Sequence, residues 1–180
     1  MKLSVIAAGI SLAIFAHASF AFDLKSADVK PGGRLSDQQV ANAFGCSGGN
    51  LSPQLTWKNP PKGTKSYAVT VYDPDAPTGS GWWHWVVWNI PASASSLPAG
   101  IGHGASLPEG ATEGRTDVGT PGYFGACPPM GDKPHRYQFK VHALKVEKLE
   151  LPEDPMPALV GFTLKANSLG TASLTVKYSR

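Results

Sequence analysis

Three strongly apolar segments, separated by turns and loops, constrain the fold of this chain more than any other feature. They are Ser66–Tyr72, Trp83–Ile90 and His135–Leu144. The first and third alternate with a period of two, as β-strands do, and the second is apolar on both faces, as a buried central strand is. The 20 glycines and 16 prolines fit many short strands joined by turns. The sequence therefore predicts a mainly β domain.

The rest of the chain predicts shorter elements. A capping box at Ser36 and Gln39 favours a short helix, and Pro157 and Gly170 bracket a second one. A long Gly/Pro-rich stretch is either functional or hides short strands. The predicted elements are a helix over Ser36–Phe44, a strand over Leu55–Trp57, the long loop over 91–134, a helix over Met156–Ser168 and a strand over Gly170–Tyr178.

The first residues predict export. Lys2 precedes an apolar run from Leu3 to Ala16, and small residues follow up to Ala21. This pattern is typical of a signal peptide over residues 1–21, cut after Ala21 or, as the alternative, after Ala18. A membrane anchor would need about 20 apolar residues, and no later segment could span a bilayer. Residues 22–180 are then one soluble domain, periplasmic or released from the cell.

Charge and cysteine content narrow the function classes. The formal net charge is only +3 and the cations are scattered, which argues against nucleic acid as a partner. Cys46 and Cys127 form an even pair in an exported chain, so a disulfide is expected. Two free, buried thiols are the alternative.

Polar side chains stand at the ends of the apolar strands. Asp73 and Asp75 follow the first strand, and His84 lies near the start of the second. His135 and Tyr137 share one face of the third, because strand side chains alternate. A pocket built from converging strand ends with these groups suits an anion or a phosphate head group. The same alternation turns Arg136 away, toward a structural ion pair.

Other chemistries have weaker support. A mixed metal site would use Asp73, Asp75, His84 and His135, but no H-x-x-x-H or C-x-x-C spacing supports it. Ser47 sits in a formal G-x-S-x-G match that lacks the strand before it and the helix after it. Cys127 as a nucleophile conflicts with a disulfide. The sequence thus assigns no catalytic residue, metal or cofactor.

Several motifs together resemble the phosphatidylethanolamine-binding protein family, also called Raf kinase inhibitor-like proteins, in its bacterial and exported branch. They cover nearly all of the chain after the predicted leader. They are Asn50-Leu51-Ser52-Pro53, Tyr72-Asp73-Pro74-Asp75-Ala76-Pro77, Gly81-Trp82-Trp83-His84-Trp85, Tyr123-Phe124-Gly125-Ala126-Cys127-Pro128-Pro129 and Pro134-His135-Arg136-Tyr137.

The resemblance implies two antiparallel sheets with Greek-key connections and a few short helices. It also implies an anion pocket and a disulfide at the rim of that pocket. The implied pocket residues are Asp73, His84, Pro129, His135 and Tyr137, with Asp75 and Trp83 beside them.

Three functions follow as expectations. The first is a binding protein, not an enzyme, in which His84 and His135 donate N–H groups to an anion while Asp73 fixes a histidine tautomer. The second is a hydrolase with the Asp/His pair as general base. The third is an inhibitor or modulator of a protein partner that binds through residues 91–134.

Overall fold

The computed structural model describes residues 21–180, so the predicted signal peptide lies outside the described residues except for Ala21. Those residues form eight strands, one α-helix and one 3-10 turn. In chain order they are β1 Asp23–Lys25, the 3-10 turn Asp37–Gln39, β2 Leu55–Lys58, β3 Ser66–Asp73, β4 Trp82–Pro91, β5 Ser96–Leu97, β6 Thr112–Glu113, β7 His135–Leu144, α1 Pro157–Asn167 and β8 Ser168–Tyr178.

The strands form two antiparallel sheets, which confirms the predicted fold class. One sheet has the order β6-β4-β3-β7-β8 and the other has the order β1-β2-β5. The central strand β3 pairs with β4 on one side and with β7 on the other. β7 comes after β4 in the chain but pairs with β3, so the sheet is not a simple meander. Within residues 21–180, no helix is long and apolar enough to cross a membrane.

The five-stranded sheet is covered on both faces. Its inner face packs on the small sheet in the main core, which includes Trp57, Trp85 and Phe139. Its outer face packs on α1 through a smaller cluster that includes Val86 and Leu164. Burying both faces explains why β4 is apolar on both sides. It also makes the sheet a rigid support for groups at its ends.

The predicted helix over Ser36–Phe44 is wrong. Only a 3-10 turn forms, and the Ser36 hydroxyl hydrogen-bonds the Gln39 side chain instead of a backbone N–H. Beyond the turn, the Ala41 N–H donates to the Ala126 carbonyl, and the Ala126 N–H donates to the Gln39 carbonyl. These long-range bonds replace helical ones because they dock the segment on another loop. In the 91–134 stretch, β5 and β6 are the hidden short strands.

Candidate functional site

Polar side chains from three strands converge on one cavity of about 370 Å³. Asp73 ends β3, His84 lies near the start of β4, and His135 and Tyr137 begin β7. They meet because β3 is antiparallel to both neighbours, so its end lies beside their beginnings. Apolar side chains form the walls. They include Phe44, Trp82, Phe124, Pro128 and Pro129.

Asp73 and His135 form a buried pair on the cavity floor. The Nδ1 atom of His135 donates to Oδ2 of Asp73 over 2.6 Å, and both side chains are almost fully buried. The other oxygen of Asp73 accepts the backbone N–H of Asp75 at 2.8 Å. Nε2 of His135 lies 3.3 Å from a carboxylate oxygen of Asp132. The predicted role of Asp73, fixing a histidine tautomer, therefore has the required geometry.

His84 is held through the same ring nitrogen, but by a carbonyl instead of a carboxylate. Its Nδ1 lies 2.8 Å from the carbonyl oxygen of Phe124, and since a carbonyl only accepts, Nδ1 carries the hydrogen. Burial lowers the pKa of His84 to about 4, so the ring is neutral near pH 7. In the neutral ring the hydrogen is on Nδ1, so Nε2 carries a lone pair and can only accept. The expected donation from His84 to an anion would therefore need a second hydrogen, on Nε2, and it stays a prediction.

Tyr137 supplies a hydroxyl donor to the floor. Its ring centroid lies 5.2 Å from that of His84. Burial raises the pKa of Tyr137 above its ordinary value, so the hydroxyl keeps its hydrogen. The Tyr137 side chain lines the cavity, so its hydroxyl borders the space that a ligand would occupy. It can therefore donate to a ligand.

A β-bulge aims His84 into the cavity. In the β3–β4 pairing Val71 lies opposite Trp85, whereas the next residue, Tyr72, lies opposite Trp83. His84 is therefore the extra residue of the bulge, and side-chain alternation slips at this point. Trp85 consequently packs in the main core while Trp83 packs with the outer cluster under α1.

The bulge also decides which tryptophan meets the cavity. Trp82 lines it, whereas Trp83 packs against Tyr72 with tilted rings whose centroids are 4.8 Å apart and is not among the lining residues. A ligand-binding role for Trp83 was expected from the resemblance, but the structure does not bring Trp83 to the floor. Strict alternation of side chains could not have predicted that Trp82 and not Trp83 lines the cavity, because the cause is a register shift between β3 and β4.

Asp75 lies outside the cavity and holds the start of β7 through Arg136. Its carboxylate accepts the backbone N–H of Arg136 and, in a two-point ion pair, the guanidinium of the same residue, at 2.7–2.8 Å. Arg136 accordingly holds the pKa of Asp75 below its ordinary value. The predicted structural ion pair of Arg136 is confirmed. Asp75 positions the first residues of β7, which include His135, and does not reach the cavity floor.

The rim is fixed by a disulfide and by a residue that sequence reasoning missed. Cys46 and Cys127 are bonded, with Cα atoms 6.0 Å apart, which confirms the predicted bridge. Arg180 donates from Nε to the Pro128 carbonyl at 2.7 Å and from its terminal nitrogen to the Phe44 carbonyl at 3.3 Å. Nothing in the local sequence around Arg180 signals this contact. Pro129 lines the cavity as expected.

The structure gives little support to the alternative chemistries that the sequence suggested. Among residues 21–180, no group of three or more His, Cys, Asp or Glu side chains is placed to hold a metal ion. Ser47 lies in a separate surface pocket with Gly45 and Gly48, and it does not line the main cavity. Cys127 cannot act as a free thiolate while its sulfur is bonded.

Fold and site together define the class: a two-sheet β protein with a cavity of polar floor and apolar walls at one end of its central strands. Known proteins share this architecture. The family model described as phosphatidylethanolamine-binding protein matches residues 25–179. The chain belongs to the phosphatidylethanolamine-binding protein family, as its motifs predicted.

Individual relatives agree with this assignment. The UPF0098 protein YbcL of Escherichia coli is 52% identical over 180 residues, 99% of this chain and 98% of the relative. YbhB of the same organism is 50% identical over 157 residues, 87% of this chain and 99% of the relative. The crystal structure of E. coli YbcL, described as a new member of the mammalian PEBP family, superposes with a TM-score of 0.85 and 54% identity. That match covers 88% of this chain and 98% of the crystallised one.

Proposed function

We propose that this protein is an exported binding protein for small phosphate-type anions, taken as free ions or as the head group of a larger molecule. One observation carries the proposal: Asp73, His84, His135 and Tyr137 meet at the floor of a single apolar-walled cavity. Cavities that mix apolar walls with a few convergent polar groups are typical of small-ligand sites. The name of the family points to the same chemistry.

The arrangement favours weak, reversible binding. The Tyr137 hydroxyl is a donor beside the cavity, and the Arg180 guanidinium adds positive charge at the cavity mouth. Against these, the Asp73 carboxylate already lies on the floor and is satisfied by His135. Few unopposed donors and a like charge nearby give an affinity on the order of millimolar.

Export is supported by two features. The leader-like pattern over residues 1–21 is typical of secretion. The Cys46–Cys127 bridge suits an oxidising compartment such as the periplasm. Control of a protein partner through residues 91–134 stays a prediction.

Hydrolysis is the alternative, because the Asp73–His135 pair has the form of an oriented general base. A nucleophile is harder to supply. Cys127 is bonded to Cys46, and the hydroxyl of Thr78, which also lines the cavity, donates to the Gly81 carbonyl at 2.5 Å. We therefore propose binding without turnover. Steady hydrolysis of p-nitrophenyl phosphate that disappears in His135→Gln would favour the enzyme instead.

The binding proposal is tested by titrating inorganic phosphate into the full chain, followed by NMR and calorimetry. Tyr137→Phe removes one donor and keeps the ring, so we expect affinity to fall about three- to tenfold. Tyr123→Phe is the matched control, since its hydroxyl donates to the Gln39 carbonyl at 3.0 Å and not to the cavity. The control should lose stability but keep its affinity. Equal affinity in Tyr137→Phe, or no saturable binding to the unaltered chain, contradicts the proposal.

A further inference from the structure

We infer that the cavity selects oxyanions that still carry one acidic hydrogen, and that the bare Nε2 atom of His84 is the group that recognises this hydrogen. The inference rests on the proposed anion site and narrows its ligand class. It names phosphate monoesters in the singly charged form, attached to an apolar body. The dianions of such monoesters, sulfate esters and phosphodiesters have no acidic hydrogen and fit less well, so the inferred ligand differs from the diester head group in the family's name.

The first step is the tautomer. The Phe124 carbonyl holds the hydrogen of His84 on Nδ1 at 2.8 Å, and His84 is only 5% exposed. Nε2 is then left with a lone pair beside the cavity. An oxygen without a hydrogen would face that lone pair as acceptor against acceptor. An oxygen with a hydrogen would donate to it.

The second step is the charge around that nitrogen. The titratable groups nearest to it are Asp73 on β3 and His135 and Tyr137 on β7, with Phe124 and Gly125 contributing backbone only. The Asp73 carboxylate lies on the same floor, and Asp132 sits behind His135. The positive charge of Arg180 is at the cavity mouth, where its guanidinium donates to the Pro128 and Phe44 carbonyls, so a second negative charge on the floor meets the Asp73 carboxylate and the lone pair of Nε2. A singly charged ligand avoids that repulsion.

The third step is the ligand body. The walls are aromatic: Phe44 packs edge-on to Phe124 at 5.6 Å, and Phe124 stacks on the His84 ring at 6.1 Å. Trp82 and Pro128 complete the apolar lining. A bare inorganic ion would leave this surface uncovered. An apolar group attached through an ester oxygen would bury it.

Two probes of nearly equal shape distinguish the effect of the acidic hydrogen on binding from the effect of the ligand's charge. Phenyl phosphate is mainly a monoanion with one P–OH at pH 5 and a dianion at pH 8, because its second pKa is about 6. Phenyl sulfate is a monoanion without a hydrogen at both values. Any pH effect of the protein's own groups acts on both probes, so sulfate corrects for it. Burial keeps His84 neutral over this range.

The experiment is calorimetric or NMR titration of the full chain with both probes at pH 5 and pH 8. At pH 5 we expect phenyl phosphate to bind about tenfold more tightly than phenyl sulfate, as one buried donor–acceptor match implies. At pH 8 this preference should vanish. Equal affinities at pH 5, or a preference that grows at pH 8, overturn the inference but leave the anion site standing. Absence of binding by both probes defeats the proposed function itself.

Two variants test whether His84 is the source of the preference for phenyl phosphate over phenyl sulfate. His84→Phe should bring the phosphate-to-sulfate ratio at pH 5 close to one, whereas Tyr123→Phe should keep it near tenfold. If His84→Phe does not fold, the long-range ¹H–¹⁵N spectrum of the unaltered chain decides. The Nε2 resonance of His84 should move with phenyl phosphate at pH 5 and stay in place with phenyl sulfate. An Nε2 resonance that moves equally with both probes contradicts the inference.

Discussion

At the scale of single residues, two histidines in one cavity have different roles because their Nδ1 atoms have different hydrogen-bond partners. His135 donates to a carboxylate and His84 donates to a carbonyl. The sequence could place both near a pocket, since each stands at a strand end. It could not predict the tautomers, because Phe124 and Asp73 come close only after folding. With the hydrogen on Nδ1, donation from His84 to an anion would require a second hydrogen on Nε2, which the sequence could not reveal.

Buried histidines make the free energy of unfolding depend on pH. His84 and His142 have ordinary pKa values of 6.5, and burial lowers both to about 4 in the folded chain. Between these values the unfolded chain binds more protons, so stability is full above about pH 6.5 and falls as pH drops toward about 4. We expect His142→Gln to reduce this loss by about 1 kcal/mol per pH unit in that window. Urea unfolding at several pH values measures it.

His142 is a suitable test site because it lies away from the cavity. Its ring nitrogens approach the hydroxyls of Thr70 and Thr171, at 3.1 and 3.3 Å, which glutamine can also bond. Lys140 also disfavours the charged form of this histidine. Identical pH profiles for the variant and the unaltered chain would contradict the assigned burial effect.

At the scale of elements, the strand cores were predictable and the irregularities were not. Period-two patterns and apolar runs gave β3, β4 and β7 nearly to the residue, because burial on a sheet dictates them. The bulge at His84 left no such trace, so the sequence could not predict that Trp82 lines the cavity and that Trp83 packs on the opposite face of the sheet. The Ser36–Phe44 helix failed because backbone bonds between Gln39–Ala41 and Ala126 outweigh a local capping signal.

The contact between the segment Gln39–Ala41 and the loop that contains Ala126 depends on Gly125. A side chain there would strike the backbone of Val40 and Ala41 and come within 2.6 Å of the Gln39 carbonyl oxygen. We expect Gly125→Ala to lower the free energy of unfolding by about 2–3 kcal/mol, since rigid backbone cannot yield. Denaturant unfolding checks this.

Gly122→Ala is the matched control for that substitution. Gly122 has a positive φ of 111° but open space around its α-carbon, so alanine adds backbone strain without a clash. It should cost about 1 kcal/mol. A Gly125→Ala protein no less stable than the control would mean that the loops do not depend on this close approach.

At the scale of the whole molecule, the resemblance supplied what local patterns could not. The two-sheet topology involves residues far apart in sequence, whereas the Cys46–Cys127 pairing was already expected from the even cysteine count of a chain with an export signal. The cavity residues Asp73, His84, Pro129, His135 and Tyr137 were predicted as a set and line one cavity. Arg180 and Trp82 were missed, because their places depend on tertiary contacts.

The disulfide should stabilise the whole fold by restricting the unfolded chain. Its cysteines are 81 residues apart. A loop of that length implies about 4–5 kcal/mol in the chain-entropy model. We expect Cys46→Ala combined with Cys127→Ala to lose stability on that order by denaturant unfolding. A loss below about 1 kcal/mol would argue that the rim is held mainly by Arg180 and its carbonyl partners.

The most direct test of the binding account is a crystal structure of the full chain grown at pH 5 with saturating phenyl phosphate. The account predicts phosphate density on the cavity floor, with one oxygen in hydrogen-bond reach of the Tyr137 hydroxyl and another in reach of Nε2 of His84. The phenyl ring should lie against Phe124. An empty floor, or ligand bound only elsewhere on the surface, would contradict it.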